Sequence, residues 1–401
     1  MKISKVQITP VSVPVEAPLR YSTGADTAIH RLIVEVETDD GFLGLGECCA
    51  GSAREARLRE SVPQILCADP FQTERLRWQL GSPAETKLFG SVNHTFAAIE
   101  FACLDIQGQV LGRPVHDLLG GRLRDQIPLI AYLFYRYPDE QGRGAIDDAA
   151  SMVAYARELL DRTGFETIKF KAGVFPPEKE FNVLAALREA FPTQRLRVDP
   201  NAAWSVSTAI RMARKLRDWN LEYLEDPTWG LRGMARVSRQ CPWMPLASNM
   251  AVATPEDFAP MALLEAADVV LVDPHFYGGL RQARHAAAAL ELLNVGAGIH
   301  SQGELGISMA AQLHLAASLP VLCHAADAHY HHLIDDVIEG GKLPCERGGM
   351  MVPTGSGLGV RLDRNRVEKY REMAQKLQTA AQTSMAGDPR SVDHLPVVPR
   401  W

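Results

Sequence analysis

Five polar residues recur at nearly even intervals in the second half of this 401-residue chain: Asp199, Glu225, Asn249, Asp273 and His300, spaced by 26, 24, 24 and 27 residues. Each stands at the C-terminal end of a short apolar run: LRVDP, LEYLED, MPLASN, ADVVLVDP and VGAGIHS. That interval is about one strand–helix unit, and in a barrel the C-terminal strand ends converge on one mouth, where catalytic groups concentrate. Asp199, Glu225 and Asn249 then offer oxygen ligands suited to a hard cation such as Mg²⁺, with no thiolate and little imidazole to favour zinc. Two carboxylates and one neutral amide leave the ion and its ligands about neutral, which makes the metal a stronger electrophile for an incoming carboxylate.

Lys169 and Lys171, in the preceding run Ile168-Lys169-Phe170-Lys171, share one side of a strand because the side-chain period is two. Phe170 suits the outer, helix-covered side, so both lysines point to the interior near the mouth. Their mutual repulsion is expected to lower the proton affinity of at least one and make it a base. Asp273 and His300 can hydrogen-bond, which orients the imidazole and favours its charged form. Lys171 and His300 would thus face a bound substrate from opposite sides.

The elements that must position these groups can be read from the pattern. Residues 1 to 50 alternate like strands, with Asp39-Asp40-Gly41 as a hairpin turn, and residues 54 to 122 change to helical spacing, giving an α+β block. From Ile127, eight β-rich runs alternate with helical stretches: IPLIAYLFY, TIKFKAG, the five runs above and LPVLCHA. This argues a (β/α)8-type barrel, and the absence of G-x-G-x-x-G after a strand weighs against a dinucleotide fold. The expected division is 1–125, 126–354 and 355–401, with the last segment returning to the N-terminal domain.

Lys and Arg number 42 against 48 Asp and Glu, with no dense basic run, so neither a nucleic acid nor a membrane is the expected partner. No apolar stretch reaches about 18 residues and no signal-like N-terminus is seen, so a cytoplasmic location is expected. The seven cysteines are scattered, without a C-x-x-C pair, and read as free thiols.

The ordered set Leu32–Thr38, Tyr132–Tyr135, Lys169-Phe170-Lys171, Asp199-Pro200-Asn201, Glu225-Asp226-Pro227, Ser248-Asn249-Met250, Asp273–Phe276 and His300-Ser301 resembles the enolase superfamily, most closely its glucarate dehydratase subgroup, over nearly the whole chain. The resemblance implies a TIM-type (β/α)7β barrel under an α+β capping domain, and Mg²⁺ on Asp199, Glu225 and Asn249. It also implies a Lys171 base and a His300–Asp273 dyad. Lys169, Asn201 and His329 match positions that support the intermediate or contact substrate, and Tyr132 and Phe134 match pocket positions. The implied reaction is removal of the proton next to a carboxylate, then loss of a β-hydroxyl to give a 2-keto-3-deoxy acid. The implied partner is a small acid sugar, and such barrels are expected to form homo-oligomers.

Two stretches depart from the subgroup. The loop Tyr21–His30 lacks an aligned counterpart of the family's substrate-contacting His, and Ser301-Gln302-Gly303-Glu304 replaces Ser-Asn-Asn-His. Glu304 would repel a dianionic substrate if it pointed inward, which suggests a different or monocarboxylic acid sugar. A racemase or epimerase on the same scaffold and a non-catalytic acid-sugar-binding barrel are the competing readings. His329-Tyr330-His331-His332 lies past the last strand, the wrong place for the H-x-H of a metal-dependent hydrolase. His275 reads as a packing or supporting residue.

Overall fold

The computed structural model of the protein describes residues 1–81, 92–139, 141–383 and 398–401. Three strands open the chain, β1 (Ile3–Tyr21), β2 (Gly24–Thr38) and β3 (Leu43–Cys49). They form an antiparallel meander with Val6 opposite Val36 and Ile8 opposite Val34, and Asp39-Asp40-Gly41 lies in the β2–β3 turn. The helix Val92–Leu111 covers this sheet and is buried over most of its length, which is why its sequence carries no polar stripe. Gly44 and Gly46 let it approach: a Cβ on Gly46 would stand 1.8 Å from the Ala98 carbonyl oxygen, and one on Gly44 2.1 Å from that of Ala102. Leu58, Ile65, Leu76 and Leu80 of the helices Ser52–Ile65 and Thr73–Leu80 join Leu32, Val34 and Val36 in a separate core.

After β4 (Gln126–Pro128), the strands β5 (Ile130–Leu133), β7 (Thr167–Lys171), β8 (Arg195–Asp199), β9 (Tyr223–Glu225), β10 (Leu246–Ser248), β11 (Val269–Val272) and β12 (Gly296–Ile299) make a parallel sheet in that order. The run LPVLCHA forms no full strand. Two isolated parallel bridges, Ala297 with Leu322 of this run and Leu129, just before β5, with Ala326, just after the run, join the segment to both neighbours and close the ring. Helices cover the outside. Ala149–Thr163 is representative: a capping box between Asp148 and Ser151 starts it, left-handed Gly164 ends it, and Met152, Ala156 and Leu159 are buried. The molecule is an α/β barrel of the (β/α)7β type with an α+β capping domain.

Cap and barrel are stitched together. Strand β6 (Tyr135–Arg136), one residue beyond β5, pairs with β1 through Leu19 opposite Arg136 and Arg20 opposite Tyr135. β13 (Gly349–Met351) pairs with β4. The helix Arg364–Thr383 packs on β1, and Arg364 meets Glu35 at 2.6 Å. Residues 398–401 lie against the barrel instead: the N–H groups of Arg400 and Trp401 donate to Ala203 O at 2.7 and 2.9 Å. Arg390 is outside the described residues. All seven cysteines are free, and among the described residues no helix is long and apolar enough to cross a membrane.

Candidate active site

The five residues of the ladder and both lysines meet at the C-terminal mouth of the barrel. Lys171 Nζ donates to Asp199 Oδ2 at 2.7 Å and to Asn201 Oδ1 at 3.0 Å. Lys169, fully buried below it, donates to Asp327 Oδ2 at 2.6 Å and stands 3.3 Å from Asp199 Oδ2. Burial works against either ammonium, yet the surrounding carboxylates outweigh it and raise the proton affinity of both lysines. The repulsion expected to free one as a base is the smaller effect, because Asp199 is far closer than the sequence spacing alone reveals.

Turns after β8 and β9 aim the carboxylates. Asn201 and Asp226 adopt left-handed backbones, φ 54° and 34°. The Asn201 N–H donates to Asp199 Oδ1 at 2.8 Å, and the Ala202 N–H to Asp226 O at 2.7 Å. Asp226 accepts from Ser248 Oγ at 2.6 Å and from the Asn249 N–H at 2.9 Å, which fixes the backbone that carries the Asn249 amide. Lys169 Nζ lies 2.6 Å from Glu225 Oε2, but its angles make no hydrogen bond, so that buried oxygen has none. Burial and the nearby Asp199 charge push the Glu225 carboxyl well up, whereas Lys171 and Lys169 overcome burial at Asp199 and hold it down.

These groups fit a hard cation. Among the described residues no three His, Cys, Asp or Glu side chains form a metal cluster, and the third donor here is the Asn249 amide. With its nitrogen toward the carboxylates, that amide donates to Asp226 Oδ2 at 2.9 Å and Glu225 Oε1 at 3.2 Å, while its oxygen accepts from His300 Nε2 at 3.0 Å. With its oxygen turned to Glu225 it becomes an acceptor among acceptors, the orientation a cation between them would favour.

On the far flank, His300 Nδ1 lies 2.8 Å from Asp273 Oδ2. Asp273 Oδ1 meets His275 Nδ1 at 3.1 Å, and Gln302 Nε2 donates to Oδ2 at 2.6 Å. Burial alone would raise the Asp273 pKa, but the bonds from His275 and His300 dominate and hold it well below the usual carboxylate range. His275 Nε2 in turn lies 3.1 Å from Arg31 Nη2, and Arg31 Nε donates to Glu47 Oε1 at 2.6 Å, both residues belonging to the cap and both fully buried.

The aromatic residues form one wall. Tyr132 and Phe134 are buried, 4.5 Å apart between ring centroids, and the His329 ring packs on them at 4.8 and 5.3 Å. The Lys169 ammonium sits 4.8 Å from the Tyr132 ring centroid. At the β1–β2 turn, Ser22 Oγ accepts from Asn201 Nδ2 at 3.0 Å, which brings the cap hairpin over the mouth. His30 is held away by Ser12 Oγ, 2.7 Å from its Nδ1. Glu304 is buried and turned into its own loop, where it accepts from Ser301 Oγ and the Gln302 N–H, so the repulsion conceived for an inward Glu304 does not arise.

The family model described as "Enolase C-terminal domain-like" matches residues 151–366, and "Mandelate racemase / muconate lactonizing enzyme, N-terminal domain" matches residues 3–120. This chain belongs to the enolase superfamily. A Streptomyces coelicolor relative named "Probable glucarate dehydratase" is 38% identical, with 100% of this chain and 99% of that protein covered. An N-succinyl-L-Arg/Lys racemase of Bacillus cereus is 25% identical over 80% and 86% of the two chains. Among solved structures, an enolase from Mycobacterium smegmatis complexed with tartrate has a TM-score of 0.92 at 38% identity, covering 100% and 98%. One from Thermobispora bispora, complexed with magnesium and formate, has a TM-score of 0.90 at 38% identity, covering 100% of each chain.

In this enolase-superfamily chain, several mouth residues escaped the sequence reading. Asp327 had a signal, since it follows His300 by 27 residues and so continues the ladder. Arg31 had none, and Gln302 showed only as part of the departing Ser301–Glu304 stretch, without its partner: Cys49 Sγ contacts Gln302 Oε1 at 3.2 Å across 253 residues of chain, a meeting that only the docked cap creates.

Proposed function

We propose that the protein is a Mg²⁺-dependent acid-sugar dehydratase, a hydro-lyase that converts an acid sugar to a 2-keto-3-deoxy acid. The observation that carries this reading is the flanking of the Asp199–Glu225–Asn249 oxygens by two proton-transfer groups, Lys171 from β7 and His300 after β12, the latter oriented by Asp273. Asp199, Glu225 and Asn249 would hold Mg²⁺, whose charge would anchor a substrate carboxylate and draw Asp199 away from Lys171.

Lys171 Nζ, once neutral, takes the proton on the carbon next to the carboxylate, and the bonding pair moves toward that carboxylate. The Lys169 ammonium, buried beside Asp199, offsets the negative charge that develops there. The pair then returns to form a carbon–carbon double bond as the β-carbon–oxygen bond breaks. His300 gives its proton to the leaving oxygen, water departs, and the enol tautomerises to the ketone. Asn201 holds Lys171, and Tyr132, Phe134 and His329 wall the pocket. A likeness to the dehydratase-named relative supports the reading.

The opposed Lys171 and His300 also suit a racemase or epimerase, and a racemase stands among the relatives. The test is a screen of purified protein with Mg²⁺ against mono- and diacid sugars, detecting 2-keto-3-deoxy products. Lys171→Ala and His300→Asn are each expected to lose on the order of 10²–10⁴-fold in kcat. Exchange of the α-proton in deuterated water without any dehydration product would favour the epimerase instead. Absence of both would return the non-catalytic barrel.

A further inference from the structure

Behind His329 lies a short relay that belongs to the departing Ser301–Glu304 stretch. Ser301 Oγ donates to Glu304 Oε2 at 2.5 Å, and Glu304 Oε1 accepts from the Gln302 N–H at 2.7 Å. The same Oγ accepts from the His329 backbone N–H at 3.1 Å and lies 2.8 Å from His329 Nδ1. A hydroxyl has one proton and a carboxylate has none to give. With the Ser301 proton committed to Glu304, the bond to the ring must come from a proton on Nδ1. A neutral imidazole with its proton on Nδ1 carries a bare lone pair on Nε2. That atom makes no hydrogen bond among the described residues, and it lies on the edge of the ring away from Ser301, in a site shared with Lys171 and His300.

We propose that the Glu304–Ser301 pair fixes His329 as an acceptor at Nε2, and that this acceptor selects a substrate hydroxyl over a second carboxylate, so that the acid sugar taken is a monoacid of the aldonate type. The substrate class rests on the dehydratase reading; the tautomer rests on the hydrogen bonds alone. A carboxylate placed at Nε2 would set lone pair against lone pair. Protonating the ring to receive it is opposed by burial and by the neighbouring Lys171, His300 and Lys169 charges, which hold the His329 pKa well below the ordinary histidine range. His329 is the specificity-determining group here, and Ser301 and Glu304 are positioning residues.

The test is ¹⁵N NMR of the full-length, histidine-labelled protein with Mg²⁺, the His329 signals assigned by their loss in His329→Gln. The wild type is expected to show Nδ1 protonated and Nε2 bare; the reverse overturns the proposal. In Glu304→Ala the freed Ser301 hydroxyl donates to Nδ1 and the ring proton moves to Nε2. Kinetics then compare an aldonate with the aldarate that differs only at the far carbon, D-gluconate and D-glucarate being one such pair in a panel of stereoisomers. A kcat/KM preference of about tenfold for the aldonate is expected, falling toward parity in Glu304→Ala, the size of one well-placed neutral hydrogen bond. An aldarate preference in the wild type overturns the assigned selectivity. No dehydration of any panel member, with the tautomer as stated, sinks the dehydratase reading and the substrate class together, leaving the tautomer standing.

Discussion

Asp273 receives hydrogen bonds from His275, His300 and Gln302, and its carboxylate orients His300, the general acid of the proposed reaction. Asp273→Asn keeps the shape but removes the charge and allows the wrong His300 tautomer. Steady-state kinetics are expected to show kcat lowered on the order of 10²–10⁴-fold, with KM changed far less. At this scale much was legible, because residues at strand ends repeat with the length of a strand–helix unit, and that period carried Asp199, Glu225, Asn249, Asp273 and His300 to one mouth. What period cannot show is charge balance. Whether Lys169 and Lys171 repel each other or are held by carboxylates depends on distances of 2.6 to 3.3 Å across strands. Residues of the cap that reach His275 beside the dyad, such as Arg31, lie on strands whose alternation announces burial but not the partner.

Among the elements, the contact of β3 with the helix Val92–Leu111 is the least forgiving. Gly46→Ala would force a Cβ to within 1.8 Å of a carbonyl oxygen that no side-chain rotation can move. A loss of about 1–3 kcal/mol in urea unfolding is expected, as for other overpacked sites; an unchanged midpoint would mean the helix and strand part easily. The helix itself was readable as a long apolar-rich segment, and so were the hairpin turn and the barrel runs. The run LPVLCHA was the exception in form: its β-rich composition suggested a full strand, yet the barrel seam needs only the bridges at Leu322 and Ala326. Composition reports burial, and the number of ladder bonds made at a seam is decided by the shape of the closing ring.

At the scale of the whole molecule, stability should carry a pH signature from the end of the barrel opposite the mouth. Glu222 lies 3.0 Å from His324 Nδ1 and 2.5 Å from Arg197 Nε. Burial opposes both charged forms, but the Cys323 and Glu222 partners raise His324 to about 9, and His324 with Arg197 lowers Glu222 to about 2. The histidine contribution is therefore fully present below about pH 6.5 and is lost as pH rises through about 9, while the Glu222 contribution is present above its unfolded value near 4.5 and is lost as pH falls through about 2. Urea unfolding at pH 6.5 and at pH 9 is expected to differ less in His324→Gln than in the wild type, by on the order of 2 kcal/mol. Equal pH dependence in the two proteins would show that the cluster does not titrate on unfolding.

The pairing of β6 with β1 also bears on how such chains can be recombined. Because the continuation of a barrel strand is the fourth strand of the cap sheet, a chimera joined at residue 125 would take one half of the Leu19–Arg136 and Arg20–Tyr135 ladder from each parent. Exchanging caps between relatives is thus a splice within a hydrogen-bonded ribbon, and a crossover that keeps β1 and β6 from the same parent should yield folded protein more often than one placed between them.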